Sequence, residues 1–457
     1  MKISFRHPFS AALILVPVLA GATLTPSVQR GEQTIAIQGR SPMICVIPTH
    51  LFDAKYSKGD LEMEQALCSL QEDVNMAICP KLASTNPGIE FFSVPAPYTI
   101  AQAEKANCFL ANPADKKDNL LKKRAKYKNS TSCSYTPSIL AYYHVSRLLN
   151  DAGNVPPAVV RTFDLSRHLE IARTGVDVAT AREGSDAVIA QTWKSLLSAL
   201  NAGPAAKKKD ALFTDDFNQT YGAIQQNPTN EDKYSDMFTK AAYGDPRTIA
   251  FRDSNAIFAQ VKSSKPASAF AGTQFTQSNV QTIMQMKAAA DMVVLDTLLS
   301  QEDRMGNVHY KNRYAYIDPS NVGTDGNAKV QFESKLKPEI AAFKPVIVKE
   351  IMLKDNDCGV NRDNRSMRLG LLPLVAHMDP KTYRGILKVD AGADDAGFTK
   401  VFKSGMMFTG EDYAKMRGNL STIVSTLKAR CKSGALKLDL DLDAHFAGKT
   451  VANKCEL

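Results

Sequence analysis

From Leu295 to Asn307 the chain reads Leu-Asp-Thr-Leu-Leu-Ser-Gln-Glu-Asp-Arg-Met-Gly-Asn, an apolar run that hands over to a polar loop in which Asp303 precedes Asn307 by four positions. Further along, a β-rich run ends in Lys354-Asp355-Asn356-Asp357-Cys358-Gly359. A carboxylate to orient an attacking hydroxyl, an Asn, and a second carboxylate to hold a divalent cation on phosphates are the parts that phosphoryl transfer requires. Magnesium prefers few carboxylates and keeps several waters, so a ligand set this sparse suits it. Asp303 is the candidate catalytic group, and Asn307, Asp355 and Asp357 are the candidate metal ligands. Glu302 and Arg304 read as structural partners of the loop, and His309 as a satisfied polar contact. Cys358 reads as a disulfide or buried thiol, because nothing near it resembles the Cys–His pair of a nucleophile.

Other motifs fail on their own physical requirements. Gly448-Lys449-Thr450 has the tail of a phosphate-binding loop, but Asp443 stands where its first glycine must turn the chain. Asp439, Asp441 and Asp443 alternate like a calcium loop, yet Ala444 and Thr450 occupy the positions that need Gly and Glu. The run from Asp355 fails the same test at Val360 and Ser366.

The elements that must position these residues follow from periodicity. The spacing predicts a strand at Met43–Ile47, a helix over 60–79, and a hairpin with arms 79–84 and 89–94 around Thr85-Asn86-Pro87-Gly88. A basic strand is expected at 120–128, a helix at 137–150 and a strand at 155–163. A helix over 185–201 carries Trp193, the single tryptophan. Residues 202–235 read as a solvated linker or insertion, and 276–300 as a buried helix. Two β-rich runs follow, 308–318 and 345–354, and the rest is mainly helical. Strands early and helices late make an α+β pattern.

Three segments in this order resemble an atypical kinase core. Asp303-Arg304-Met305-Gly306-Asn307 is similar to the D-R-x-x-N catalytic loop of phosphatidylinositol kinases, HipA-like kinases and the secretory-pathway Golgi casein kinase family. Asp355-Asn356-Asp357-Cys358-Gly359-Val360 resembles the last family's D-N-G-x-G-F, with Asp355 at the metal position. The helix Ser138–Leu149 followed by Val155-Pro156-Pro157 is similar to its N-lobe helix and V-P-P. The resemblance implies a two-lobed protein-kinase-like fold, with a β-rich N-lobe and a mainly helical C-lobe. It implies ATP with Mg²⁺ or Mn²⁺ as cofactors, and a protein or glycan acceptor with a free hydroxyl. It also implies an ATP-contacting lysine on the strand before the 137–150 helix: Lys126 or Lys128, the latter because Tyr127-Lys128 is similar to the family's F-K. Two departures stand out. Ile139 occupies the place of the helix glutamate, with no acidic residue between Asp118 and Asp151, and residues 308–349 form an insertion. The missing glutamate supports one alternative, a pseudokinase acting as a binding or scaffold protein; a nucleotidyl transferase on the same fold is a further alternative.

Composition sets the frame. With 44% hydrophobic and 23% charged residues over 457 positions, collagen-like, coiled-coil and disordered classes are excluded. A net charge of +9 is a mild excess for this length, so no nucleic-acid partner is expected. Lys2, Arg6 and His7, the apolar run Ala11–Leu19 and Ala20-Gly21-Ala22 read as a secretory signal over 1–22. Pro17 and the short run argue against stable membrane insertion. Eight cysteines without any C-x-x-C favour disulfides over zinc, in a secreted or periplasmic protein. The expected organisation is a signal at 1–22, an extension at 23–60, an N-lobe at 61–175, a lobe junction at 176–275 and a C-lobe at 276–457. Acceptor, disulfide pairing and oligomeric state stay open.

Overall fold

Short runs of Val, Ile, Phe and Tyr in the first half of the chain suit a pleated surface that is buried on both sides. In the computed structural model, which describes residues 32–35, 42–51, 53–71, 76–108, 121–182, 187–203, 212–214, 216–324 and 326–457, these runs form a seven-stranded sheet. The signal expected at 1–22 lies outside the described residues. The strands are β1 (Glu32–Ile35), β2 (Met43–Val46), β3 (Met76–Pro80), β4 (Ile89–Ser93), β5 (Lys122–Lys128), β6 (Ala158–Asp164) and β7 (Gln219–Gln226). Their order is β1-β2-β6-β7-β5-β4-β3, and every neighbouring pair is antiparallel.

The helices of this half are α1 (Lys58–Cys68), α2 (Ile100–Asn107), α3 (Thr136–Leu148), α4 (Leu165–Ala181) and α5 (Ala187–Ala202). Alternate strand residues point to opposite faces. Met43, Cys45, Val159, Phe163 and Ile224 pack with Ile171 of α4 and Trp193 of α5. Ile44, Val46, Val160, Tyr221 and Ala223 pack on the other side with Ile139, Leu140 and Tyr143 of α3. With both faces covered, every residue of β6 is buried.

Three expectations are corrected here. The helix read over 60–79 ends at Cys68, and 76–80 is the strand β3. The hairpin pairs Pro80 with Ile89, so its first arm lies earlier than 79–84. β3 is a sheet edge, where Pro80 deprives no neighbour of an N–H. The stretch 202–235 is no mere solvated linker, since β7 sits between β6 and β5 with nearly all its residues buried. Its Gln-Thr-Tyr-Gly composition hid it. Gln219 donates to the Pro42 carbonyl at 2.7 Å, and Thr220 accepts through its carbonyl from the Tyr127 hydroxyl at 2.9 Å. Gly222 is required for a steric reason: a Cβ there would lie 2.5 Å from the Tyr127 ring.

The second half is mainly helical around a β-ribbon. After α6 (Asp245–Ser254) and α7 (Ala256–Val261), the long α8 (Gln277–Leu298) runs through the core. Next come β9 (Val308–Val322), β10 (Ala328–Glu333) and β11 (Val346–Leu353), in the order β10-β9-β11, with the short β8 (Asp232–Lys233) also paired to β9. β10 lies between the two β-rich runs, inside the insertion at 308–349. The helices Pro380–Gly392 and Gly410–Lys432 complete this half. The α+β, two-lobed expectation holds. Four disulfides join Cys45–Cys68, Cys79–Cys108, Cys133–Cys358 and Cys431–Cys455. Among the described residues, no helix is long and apolar enough to cross a membrane.

Candidate active site

Thr276 caps α8 by accepting from the Asn279 N–H, and the helix is buried throughout its last turns. It ends where Ser300 takes a positive φ of 51° and turns the chain into the loop 301–307. Arg304 points inward from this loop. Its guanidinium donates to both Asp296 oxygens, at 2.9 Å, and to Asn356 Oδ1 at 2.7 Å. Tyr142 of α3 donates to the same Asp296 at 2.7 Å. One buried network thus ties α3, the end of α8, the loop and the segment 355–358. Arg304 is a structural partner, as expected.

The ribbon sets the relative place of the two motifs. Val308 pairs with Leu353 and His309 with Met352. Asn307, just before β9, and Asp355, just beyond β11, therefore emerge at the same end. Asn307 donates its amide N–H to the Asp303 carbonyl at 3.0 Å, which leaves its amide oxygen available as a ligand. Lys233 of β8 donates to the Gly306 carbonyl at 2.7 Å and steadies the loop from outside.

Lys126 and Lys128 lie two apart on β5, so they share a face. Both ammonium groups are 3.7 Å from Asp355 Oδ1. Lys128 also forms a 2.6 Å ion pair with Asp357 Oδ2. A third lysine, Lys81, is 7% exposed, and its stem flanks Gly88 together with that of Lys128. Burial would raise the Asp355 carboxyl, but Lys126, Lys128, Lys81 and Lys354 together hold it well below the usual carboxylate range. For Lys81, burial and the neighbouring charge of Lys128 push the ammonium down to about 7. Burial lowers Lys126 too, with Asp355 opposing, whereas Asp357 and Asp355 outweigh burial at Lys128 and raise it.

Asp357 is engaged differently from Asp355. Its Oδ2 accepts from Lys128, from Ser134 Oγ at 2.8 Å and from Asn86 Nδ2 at 3.4 Å, and its side chain is 2% exposed. Asp355 retains 25% side-chain exposure and a positive φ of 58° that turns it out of the strand direction. Of the two, Asp355 offers an oxygen to a cation, while the Asp357 carboxylate faces a lysine and two neutral donors. Ile139 is 2% exposed in the core, so α3 supplies no counter-charge at that position.

Burial raises the Asp303 carboxyl, and the influence of Tyr243 works against the shift. His309 is buried, and Lys354 adds to burial in pushing it down to about 4, which leaves it neutral. Cys358 is bonded to Cys133 and is no free nucleophile. Among the described residues, no group of three or more His, Cys, Asp or Glu could hold a metal by itself. Lys81, Asn86, Ser134 and Tyr243 were not singled out from sequence. The turn at 85–88 was legible, but nothing in it signalled an approach to residues some 270 positions away.

No family model matches the chain, and no curated protein matches it. Solved structures do. The Golgi casein kinase with Mn/ADP bound aligns with 87% of this chain and 80% of its own, at 12% identity and a TM-score of 0.41. A second structure of the Golgi casein kinase gives 82% and 76%, with 12% identity and a TM-score of 0.39. Hydra Fam20 with sugar gives 84% and 93%, with 12% identity and a TM-score of 0.40. The family that the motifs resemble is thus among the solved structures most similar to the chain. At these TM-scores, function has to be argued from the site's own geometry.

Proposed function

We propose that the chain is an exported, ATP-dependent phosphotransferase acting on a hydroxyl of a protein or glycan. The observation that carries this is the convergence of Lys81, Lys126 and Lys128 on Asp355, at the end of the ribbon where the Asp303–Asn307 loop also emerges. Three lysines against Asp355 and Asp357 leave a surplus of positive charge in a buried place, which a nucleotide's phosphates would neutralise. Lys126 and Lys128 contact the phosphates, and Asp303 orients the acceptor hydroxyl and takes its proton. Asp355 and the Asn307 amide oxygen are the groups that would hold Mg²⁺ or Mn²⁺, which supplies charge neutralisation on the phosphates. This donor set fits such an ion because one ionised carboxylate and one amide leave room for phosphate oxygens and waters.

Asp357 takes the part of the helix carboxylate that Ile139 replaces. It fixes the Lys128 ammonium from the metal-binding segment instead of from α3. A pseudokinase is the second reading. The observation favouring it is the same Lys128–Asp357 pair, which also occupies a lysine that phosphates would otherwise use. The leader at 1–22 and the four disulfides support export, with an N-lobe up to about 175 and a C-lobe from about 276 as the working division. Thermal denaturation with and without ATP and Mn²⁺ tests the proposal. The wild type is expected to shift upward and Asp355→Asn to lose most of that shift. An unmoved wild type would sink the enzyme and leave the scaffold.

A further inference from the structure

The helix Pro380–Gly392 packs against the end of α3, and Gly385 permits the approach, because a Cβ there would lie 3.0 Å from the Leu148 carbonyl oxygen. Beside this contact is a cavity of about 150 Å³, walled by that helix, by the last residues of α3 with the turn after it, and by the segment before α1. Lys381, Arg384 and Lys388 recur at three- and four-residue spacing, so one stripe of the helix brings three cations into the wall. Lys55 adds a fourth. Among the described residues lining the cavity, Asp53 is the one carboxylate.

Neighbours balance two of these charges. Lys388 pairs with Asp53 at 3.3 Å, and Lys381 lies 3.1 Å from both Asp441 and Asp443, neither of which lines the cavity. The other two charges have no such partner. The Lys55 ammonium donates to a neutral group, the Asn150 amide oxygen, at 3.3 Å. Arg384 is half-buried, and among the described residues nothing accepts from its guanidinium. The carbonyls at the end of α3 offset part of this charge, but a helix C-terminus carries only about half an elementary charge. Against two full cations, an excess of roughly one and a half charges is left in a concave place.

We propose that this cavity binds a phosphoryl group, with the Arg384 guanidinium and the Lys55 ammonium as its main donors. A guanidinium gives such an oxyanion two parallel N–H bonds, and a lysine adds a point charge. A phosphoryl group carries about −1.5 to −2 charges at neutral pH, which matches the excess better than a single carboxylate does. Size agrees. At roughly 30 Å³ per water the cavity holds about five, room for a tetrahedral oxyanion and far less than a drug-sized ligand fills. Asp53, Lys55 and Lys388 are exposed, so the cavity opens to solvent and admits either the free ion or a phosphoryl group on a larger molecule. The site is separate from the lysines around Asp355. Ser138, near the start of α3, donates to the Asn356 carbonyl at 2.6 Å, whereas the cavity adjoins the end of the same 13-residue helix, roughly 15–20 Å away at 1.5 Å per residue. The inference therefore stands independently of the phosphotransferase proposal.

The test is calorimetric titration of the full, disulfide-bonded chain with inorganic phosphate, at an ionic strength held constant with chloride. Saturable binding is expected in the wild type. Arg384→Gln and Lys55→Gln should each weaken it about tenfold, the loss of one charged hydrogen bond, with little change in the unfolding midpoint. Lys126→Met controls for phosphate drawn to the other end of α3 and should leave this affinity unchanged. Phosphoserine is the second probe. Displacement of phosphate by it assigns the cavity to phosphoryl groups on larger molecules, and failure to displace assigns it to the free ion. Absence of saturable binding in the wild type overturns the inference, as does an affinity unaltered in both Arg384→Gln and Lys55→Gln. A loss confined to Lys126→Met overturns it too, because all phosphate binding would then lie beside Asp355.

Discussion

Lys126 and Lys128 differ in what holds them, although both approach Asp355 at the same distance. Lys128 is the counter-charge of a carboxylate that is almost wholly buried, whereas Lys126 faces only the more open Asp355. Removing one partner of a buried pair strands the other, at a cost of about 3–5 kcal/mol. Lys128→Met should therefore lower the unfolding free energy measured in denaturant by that order and also weaken ADP–Mn²⁺ binding. Lys126→Met should weaken binding at least as much with a far smaller loss of stability. Titrating both variants by thermal shift and denaturant separates the two roles. Equal destabilisation would refute the distinction. At this scale the sequence had narrowed the lysine to two neighbours by resemblance. The Tyr127-Lys128 likeness favoured Lys128, but the group that separates the two roles, Asp357, comes from a different element.

Elements hold the two motifs in place by close approach and by polar closure. Gly359 lies against α3 and the end of α8: a Cβ there would meet Ser138 Oγ at 2.6 Å and the Leu299 carbonyl oxygen at 2.8 Å. Val360, next in line, has a φ of 65°, a conformation that strongly disfavours β-branched residues. Its N–H is nonetheless fixed to the Leu299 carbonyl. Such outliers persist where the surroundings over-determine the backbone. Gly359→Ala is expected to destabilise the fold by about 1–3 kcal/mol through overpacking and to reduce nucleotide binding more than the stability loss explains. Arg304→Met leaves Asp296 buried without its partner, so a loss of about 3–5 kcal/mol is expected in chemical denaturation. A change below about 1 kcal/mol would mean that Tyr142 alone satisfies Asp296.

For the whole molecule, the Cys133–Cys358 bridge spans a sequence separation of 225 residues and joins the loop before α3 to the segment after Asp355. Chain-entropy arguments put the stabilisation from closing a loop of that length at about 5 kcal/mol. Replacing both cysteines by serine should give a stability loss of that order and weaker ADP–Mn²⁺ binding, because Asp357 adjoins the bridge. Acid acts on other residues. Burial, reinforced by the charges of His50 and Arg147, pushes His144 down to about 3, and burial alone does the same to His168. Both rings are neutral in the folded chain but titrate near 6.5 when unfolded, so the unfolded state takes up the extra protons. Stability is then complete above about pH 6.5 and drains as pH falls toward 3, by about 1 kcal/mol per histidine between pH 7 and 5.5. Denaturant midpoints across that range should fall in the wild type and fall less steeply in His168→Gln. An unchanged slope would acquit His168.

Local pattern sufficed for α3, α8, the β9–β11 ribbon and the polar loops at their ends, since each is written in contiguous apolar periodicity and turn residues. It sufficed as well to single out Asp303, Asn307 and Asp355 as candidates, because their residue types and spacing are legible wherever they fold. Strand β7 was beyond it, because its polar side chains are buried by bonds to partners distant in sequence. So were the Lys81 and Asn86 contacts and the choice of Asp357 as the partner of Lys128. Burial and charge pairing are properties of the assembled core. No stretch of sequence carries them until the sheet, α3 and the ribbon have packed together.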